Sequence, residues 1–276
     1  MKLTMINDND SINLGLNLGE AYTEHKVFER LKEYIDFYDS VSFLVMGYHT
    51  SGTDAMSNID TYFFTSMKGT LESIKDILLK GRINDSYALL RKFYDSTIIN
   101  IYTILYLKDN FSTETLFVEQ INNWVNGNGS IPRYPKMLEY IKKFERLGDI
   151  YILVQETKKY KNIRARCDDH VHYNFYWNLL LNDNEIHIED RQKFLNVFLS
   201  DLDAIFIQHF AYLFYINDYY MASCDYTDSL DMGLRPEENS QYWVAGSVQD
   251  IFDKVIKAKR PDIAEAIKSN TLMTLS

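Results

Sequence analysis

Proline and glycine are scarce in this chain: 4 prolines and 11 glycines serve 276 residues. An all-β protein of that length needs many more of them, because each chain reversal calls for a fixed or a positive φ. Long helices are therefore the predicted building blocks. The apolar spacing agrees. From Ala21 to about Tyr48, the residues Val27, Leu31, Tyr34, Ile35, Tyr38, Val41 and Val45 recur largely at steps of three and four, the period of one helix face.

A polar turn over Ser51, Gly52, Thr53 and Asp54 leads to a second predicted helix, about Asn58 to Lys80, closed by Gly81. The third, about Asn84 to Lys108, is apolar on most sides in its second half, which predicts a central place in a bundle. Shorter helices are expected over Thr113 to Val125 and Lys136 to Arg146, divided by the turn-rich stretch Asn126 to Pro135. Asp149 to Asn182 reads as one helix or two, with Asp168 or Asp169 available to cap a fresh one. After a loop over Leu181 to Asp190, Arg191 to Ser223 carries Leu195, Phe198, Leu199, Leu202, Ile205, Phe206, His209 and Phe210 along one side. His209, on that apolar face, reads as a hydrogen-bonded core histidine. A polar link over Cys224 to Leu234 follows. Pro236 with Glu237 and Glu238 predicts a helix start running to about Lys257, and Pro261 opens a last helix to Lys268. The expected architecture is an all-α, multi-helix bundle: a polar arm over residues 1–20, then one all-helical domain over 21–276.

With 46% hydrophobic and 25% charged residues the chain has the means to bury a substantial core. Cys167 and Cys224 are isolated, so neither a disulfide framework nor a zinc ribbon is indicated, and a reducing cytosol fits. The first residues lack the basic and apolar regions of a signal peptide. The most apolar stretches, Thr97 to Leu107 and Ala204 to Ile216, are shorter than the roughly 20 residues a membrane span needs. A cytoplasmic protein without a membrane segment is the expectation. A formal net charge of −10 argues against broad attraction to nucleic acid, but Lys158, Lys159, Lys161, Arg164 and Arg166 form a local basic cluster. The 21 tyrosines and 16 phenylalanines supply core rings first, and surface rings able to stack on bases second.

The densest chemistry lies in KYKNIRARCDDHVHYN, where two of the chain's six histidines stand among arginines and aspartates. Histidine titrates near neutrality and suits proton transfer. On an uninterrupted helix, at about 100° per residue, Arg166, His170 and Asn174 form one ladder, and Arg164, Asp168 and His172 another. Local ion pairs on a helix surface are the simpler explanation of each ladder.

Arg164 to His170 and Arg166 to His172 each enclose five residues, a spacing that resembles the Arg-x4–6-His signature of the HEPN superfamily. The resemblance implies an all-helical fold, here with additional N- and C-terminal helices, and a metal-independent endoribonuclease of the kind found among toxins and phage-defence effectors. It implies RNA as substrate, no cofactor, an antitoxin or regulatory protein as partner, and a homodimer, because the family's composite site usually forms across two copies. Carried onto this sequence, Arg166 clamps phosphate and His172 is the acid/base, with Arg164 and His170 as the competing register. Tyr173, Asn174 and Lys161 are the expected substrate contacts. The chain departs from the family's pattern at Cys167, where a polar residue is common.

Two rival chemistries use the same segment. Asp168, Asp169, His170 and His172 offer carboxylate and imidazole to a metal-dependent hydrolase, although residues two apart on a helix diverge and no HExxH motif is present. Cys167 near His170 matches no thiol-enzyme signature. The non-catalytic reading is a helical partner-binding or regulatory protein.

Overall fold

The computed structural model describes residues 18–114, 116–155, 159–183 and 191–276. Most of the expected polar arm, residues 1–17, lies outside them, as do Lys158 and most of the loop before Arg191. The elements are α1 (Glu20–Thr23), α2 (Val27–Val45), α3 (Ile59–Leu79), α4 (Ile83–Asn110), α5 (Glu119–Val125), α6 (Tyr134–Lys143), α7 (Gly148–Gln155), α8 (Lys159–Val171), α9 (Tyr176–Leu180), α10 (Arg191–Ile216), α11 (Asp225–Asp231), α12 (Gly246–Ile251) and α13 (Pro261–Asn270). Among the described residues there is no β-strand, only isolated bridges. The fold is all-α.

The three-and-four stripe of α2 is buried at Val27, Leu31, Tyr34, Tyr38, Val41 and Val45, and α2 packs on α3, which packs on α4. In turn α4 packs against α6, α8 and α10. Asn58 caps α3, its side chain accepting from the Asp60 N–H at 2.9 Å, and Gly81 follows the helix with φ 75°. Buried apolar residues from Leu18 to Leu275 join in one cluster. Its axis is α10, buried on almost every side from Asp201 to Phe214, as expected of a helix apolar all round. By length and composition α10 would also pass for a membrane span, but 89% of its most apolar stretch is covered by the bundle.

The helix boundaries depart from expectation at five places. The first helix breaks between Thr23 and Val27, where His25 Nδ1 accepts the Val27 N–H at 3.2 Å and His25 Nε2 meets Asn196 Oδ1 at 3.1 Å. Helix α5 starts only at Glu119, because Val118 is drawn out to donate to the Gly52 carbonyl at 2.8 Å. Gly52 has φ 88°, and a Cβ there would lie 2.8 Å from Val118 Cγ2, so glycine is required at this approach. Among the described residues of the Asp149 to Asn182 stretch, α9 is separate from α8, and Asp168 and Asp169 sit in the last turn of α8 rather than capping a new helix. Helix α10 ends at Ile216, and the link after Cys224 contains α11. Finally, Pro236, Glu237 and Glu238 start no helix. A single 3-10 turn over Ser240–Tyr242 follows them, Trp243 to Ala245 then run extended, exchanging backbone hydrogen bonds of 2.8 Å with Met221 and Ser223, and α-helix resumes at Gly246.

A polar chain crosses this apolar interior. Tyr38 OH meets His209 Nδ1 at 2.8 Å, His209 Nε2 meets Asn100 Oδ1 at 2.9 Å, and Asn100 Nδ2 donates to Asp60 Oδ1 at 2.8 Å. Tyr220 OH donates to the other Asp60 oxygen, also at 2.8 Å. Burial pushes the Asp60 carboxyl up to about 6, against the Tyr220 and Asn100 hydrogen bonds that favour its charged form. A raised carboxyl binds its proton more tightly in the native chain than in the unfolded one, so this group adds stability as pH falls from above 6 toward 4, on the order of 3 kcal/mol. Asp60→Asn is expected to raise stability by about 1 to 3 kcal/mol at pH 7.5 and much less at pH 4.5, read from urea midpoints. A variant less stable than wild type at pH 7.5 would contradict this assignment.

Candidate functional site

Helix α8 presents its polar residues to three different surroundings. Arg164 turns toward α4: its guanidinium pairs with Asp95 and lies 3.4 Å over the Tyr134 ring. Arg91 bridges the same Asp95, at 3.2 Å, and Asp168. Two arginines and two carboxylates thus cancel in one half-buried network. Arg164 is held there, away from the histidines.

Arg166 points toward α10, where Asp201 accepts from its Nε at 2.7 Å and from its Nη2 at 3.3 Å. Asp201 is buried, so this fork offsets the cost of a carboxylate in the core. The Arg166 side chain keeps 39% of its surface exposed, and its Nη1 has no hydrogen bond among the described residues.

His170 lies one turn on, on the same face, and is 2% exposed. Its ring stacks on Tyr87 at 4.0 Å and 7°, with the Trp177 ring edge-on at 6.1 Å. Nδ1 stands 2.8 Å from Asn84 Oδ1; since an amide oxygen only accepts, Nδ1 carries the proton and Nε2 a free lone pair. Burial, and then the Arg166 charge, lower its pKa to about 4. The imidazole is neutral across the physiological range and is an acceptor at Nε2.

Arg166 and His170 line one cleft of about 310 Å³ between α8, α9 and α10, with Asn162 above them and Phe175, Trp177 and Phe194 as its aromatic wall. Helix α8 stops because Tyr173 adopts φ 49°, which turns the chain so that α9 closes the cleft. Asp169 secures that turn: its carbonyl accepts from Asn174 N at 3.0 Å and from Asn178 Nδ2 at 2.8 Å, and its carboxylate from Asn174 Nδ2 at 2.7 Å.

The structure therefore joins one member of each expected register, Arg166 with His170. His172 is exposed at the helix end, its backbone N–H bonded to the Asp168 carbonyl at 3.0 Å and its ring without a partner among the described residues. Tyr173 and Asn174 form the exposed turn, and Lys161 is exposed outside the cleft lining. The sequence reading missed Asn84, Asn162, Phe175, Trp177 and Asp201. Asn162 had a signal, because it extends the Arg166 and His170 ladder one turn back. The FYW run after Asn174 was the other.

The rival chemistries find little geometry. Asp168 is taken by Arg91, and among the described residues no three His, Cys, Asp or Glu side chains converge to hold a metal. Cys167 is fully buried, and burial pushes its thiol up to about 12, so it is no nucleophile near neutrality. No protein-family model matches the chain, and no curated protein or solved structure matches it at a significant level.

Proposed function

We propose that this chain is a HEPN-like, metal-independent endoribonuclease acting at the Arg166–His170 cleft. The observation that carries the proposal is a His170 Nε2 without a donor among the described residues, beside a guanidinium whose Nη1 has no acceptor among them, under aromatic rings of a size to stack on a base. In this reading His170 Nε2 takes the proton of the RNA 2′-hydroxyl as that oxygen attacks phosphorus. Arg166 Nη1 donates to the crowded phosphorane, whose extra charge a fixed cation stabilises. The P–O5′ bond breaks, and the departing 5′-oxygen takes a proton from a second acid. His172 is that acid, supplied by another copy of the chain in the homodimer the resemblance implies; the attacking 2′-oxygen and the departing 5′-oxygen stand on opposite sides of phosphorus, so the base that meets the first does not reach the second. The products are a 2′,3′-cyclic phosphate and a 5′-hydroxyl. Toxin or defence roles, and an antitoxin or regulatory partner, belong to the same reading.

Labelled single-stranded RNA incubated in EDTA tests it. Wild type is expected to cleave, and His172→Ala, a change at an exposed side chain without a partner, to lose about 10²- to 10⁴-fold in rate with unchanged thermal stability. Absence of cleavage by the wild type would favour the second reading, a non-catalytic partner-binding protein. That reading draws on the exposed rings of Tyr173, Phe175, Tyr176 and Trp177, a composition common at interface centres. Cleavage abolished by EDTA would instead call for a metal-dependent hydrolase.

A further inference from the structure

The cleft does not end at Arg166. Asn162, Arg166 and Val197 are shared with a second hollow of about 570 Å³ between α8 and α10, which continues over Lys159, Asn196 and Ser200. Those last three in turn line a third hollow of about 330 Å³ that reaches Lys26, Lys259 and Arg260. One groove thus follows α8 backward from the aromatic wall to the start of α2. From His170 to Lys159 alone it runs ~17 Å at the helical rise of about 1.5 Å per residue.

Its charge is opposite to that of the chain. The protein carries a net −10, yet among the described residues the only carboxylates lining the two outer hollows are Asp201 and Asp203, and both are buried. Asp201 is forked by Arg166, and Asp203 accepts from Tyr34 OH at 2.6 Å and pairs with Lys259 at 2.6 Å. Lys26 and Lys159 are exposed and make no ion pair or side-chain hydrogen bond among the described residues. Arg260 is held in place by the Leu153 carbonyl at 2.7 Å and by Asp262. Among the described residues, the solvent side of the two outer hollows is therefore cationic or neutral, and Asp169, which lines the inner cleft, accepts from Asn174 Nδ2. The groove's neutral polar members, Asn162, Asn196 and Ser200, add donors and acceptors without charge.

We infer that this groove is a phosphate track holding several nucleotides of a single strand to one side of the cleft, with Lys159 and Lys26 as its phosphate-binding residues. The inference rests on the endoribonuclease reading and adds that the substrate is an extended single strand rather than a mononucleotide or a compact duplex end. A stacked strand rises roughly 3.4 Å per nucleotide, so the groove has room for several. Arrangement fits chemistry at both ends: rings at the cleft for a base, ammonium groups beyond it for the backbone.

The test is fluorescence-anisotropy binding of labelled single-stranded RNA of graded length across a salt series, in EDTA, using a 2′-O-methyl backbone that resists cleavage. Removing two phosphate contacts should make the log K against log salt slope less steep by about 1.4, at roughly 0.7 per contact for a single strand. The Lys26→Gln/Lys159→Gln double variant is expected to show that change with long oligomers and to bind a dinucleotide like wild type. The same effect on single-stranded DNA also supports the track, because phosphate and not the 2′-hydroxyl carries it. Lys136→Gln/Lys142→Gln, on exposed α6 positions outside the groove, controls for bulk charge. An unchanged slope in the Lys26/Lys159 variant, or an equal change in the control, overturns the track while leaving the cleft's activity standing. Failure of the wild type to bind any single strand overturns both.

Discussion

Alanine in place of His170 is expected to slow RNA cleavage by about 10²- to 10⁴-fold, the usual contribution of a positioned proton-transfer group. The same position also has a structural role, because the ring fills the space between Tyr87 and Trp177 and satisfies Asn84. Asn84→Leu separates the two. It leaves the ring in place but removes the oxygen that fixes the proton on Nδ1, so Nε2 is no longer held as the acceptor. With both variants folded by circular dichroism, His170→Ala should abolish the acidic limb of the kcat/KM profile. In wild type that limb should fall near pH 4, where burial places this histidine, well below the ordinary 6.5. A wild-type limb that stays in place in His170→Ala and is lost in His172→Ala would transfer the base to the helix end.

The largest expected effect on stability is at Asn100. It is fully buried and holds the two halves of the core's polar chain together, donating to Asp60 and accepting from His209. Asn100→Ala leaves a buried carboxylate short of one of its two side-chain donors and a buried imidazole N–H with no acceptor. Breaking a buried charged interaction by removing one partner costs about 3 to 5 kcal/mol, a lowering of Tm by roughly 10 °C for a chain of this size. Thermal and urea unfolding measure it. A change within about 0.5 kcal/mol, the range of an ordinary surface substitution, would mean that the chain of hydrogen bonds does not hold as described.

The elements were legible where local pattern decides them. Val27, Leu31, Tyr34, Tyr38, Val41 and Val45 announce a buried helix face by spacing alone, Asn58 and Gly81 mark the ends of α3, and His209 is a core histidine because its neighbours along α10 are apolar. What sequence does not carry is the distant partner. The break before Val27 depends on His25 meeting Asn196, and the late start of α5 on Val118 meeting Gly52. The site divides along the same line. That Arg166 and His170 share a face follows from a separation of four, whereas a separation of six, which drew attention to His172, puts the two side chains on different sides of a helix. Asp201, Asn84 and Trp177 complete the surroundings from other helices, and only the packing of α8 against α4 and α10, with the turn at Tyr173, brings them in.

The central claim is that a neutral His170 and Arg166 cleave RNA through its own 2′-hydroxyl. End-group analysis of the products formed in EDTA tests it most directly. A 2′,3′-cyclic phosphate on one fragment and a 5′-hydroxyl on the other, with no cut at a 2′-deoxy linkage, is the predicted result. A 5′-phosphate and 3′-hydroxyl would mean that water, not the neighbouring hydroxyl, attacks phosphorus, and would contradict the account.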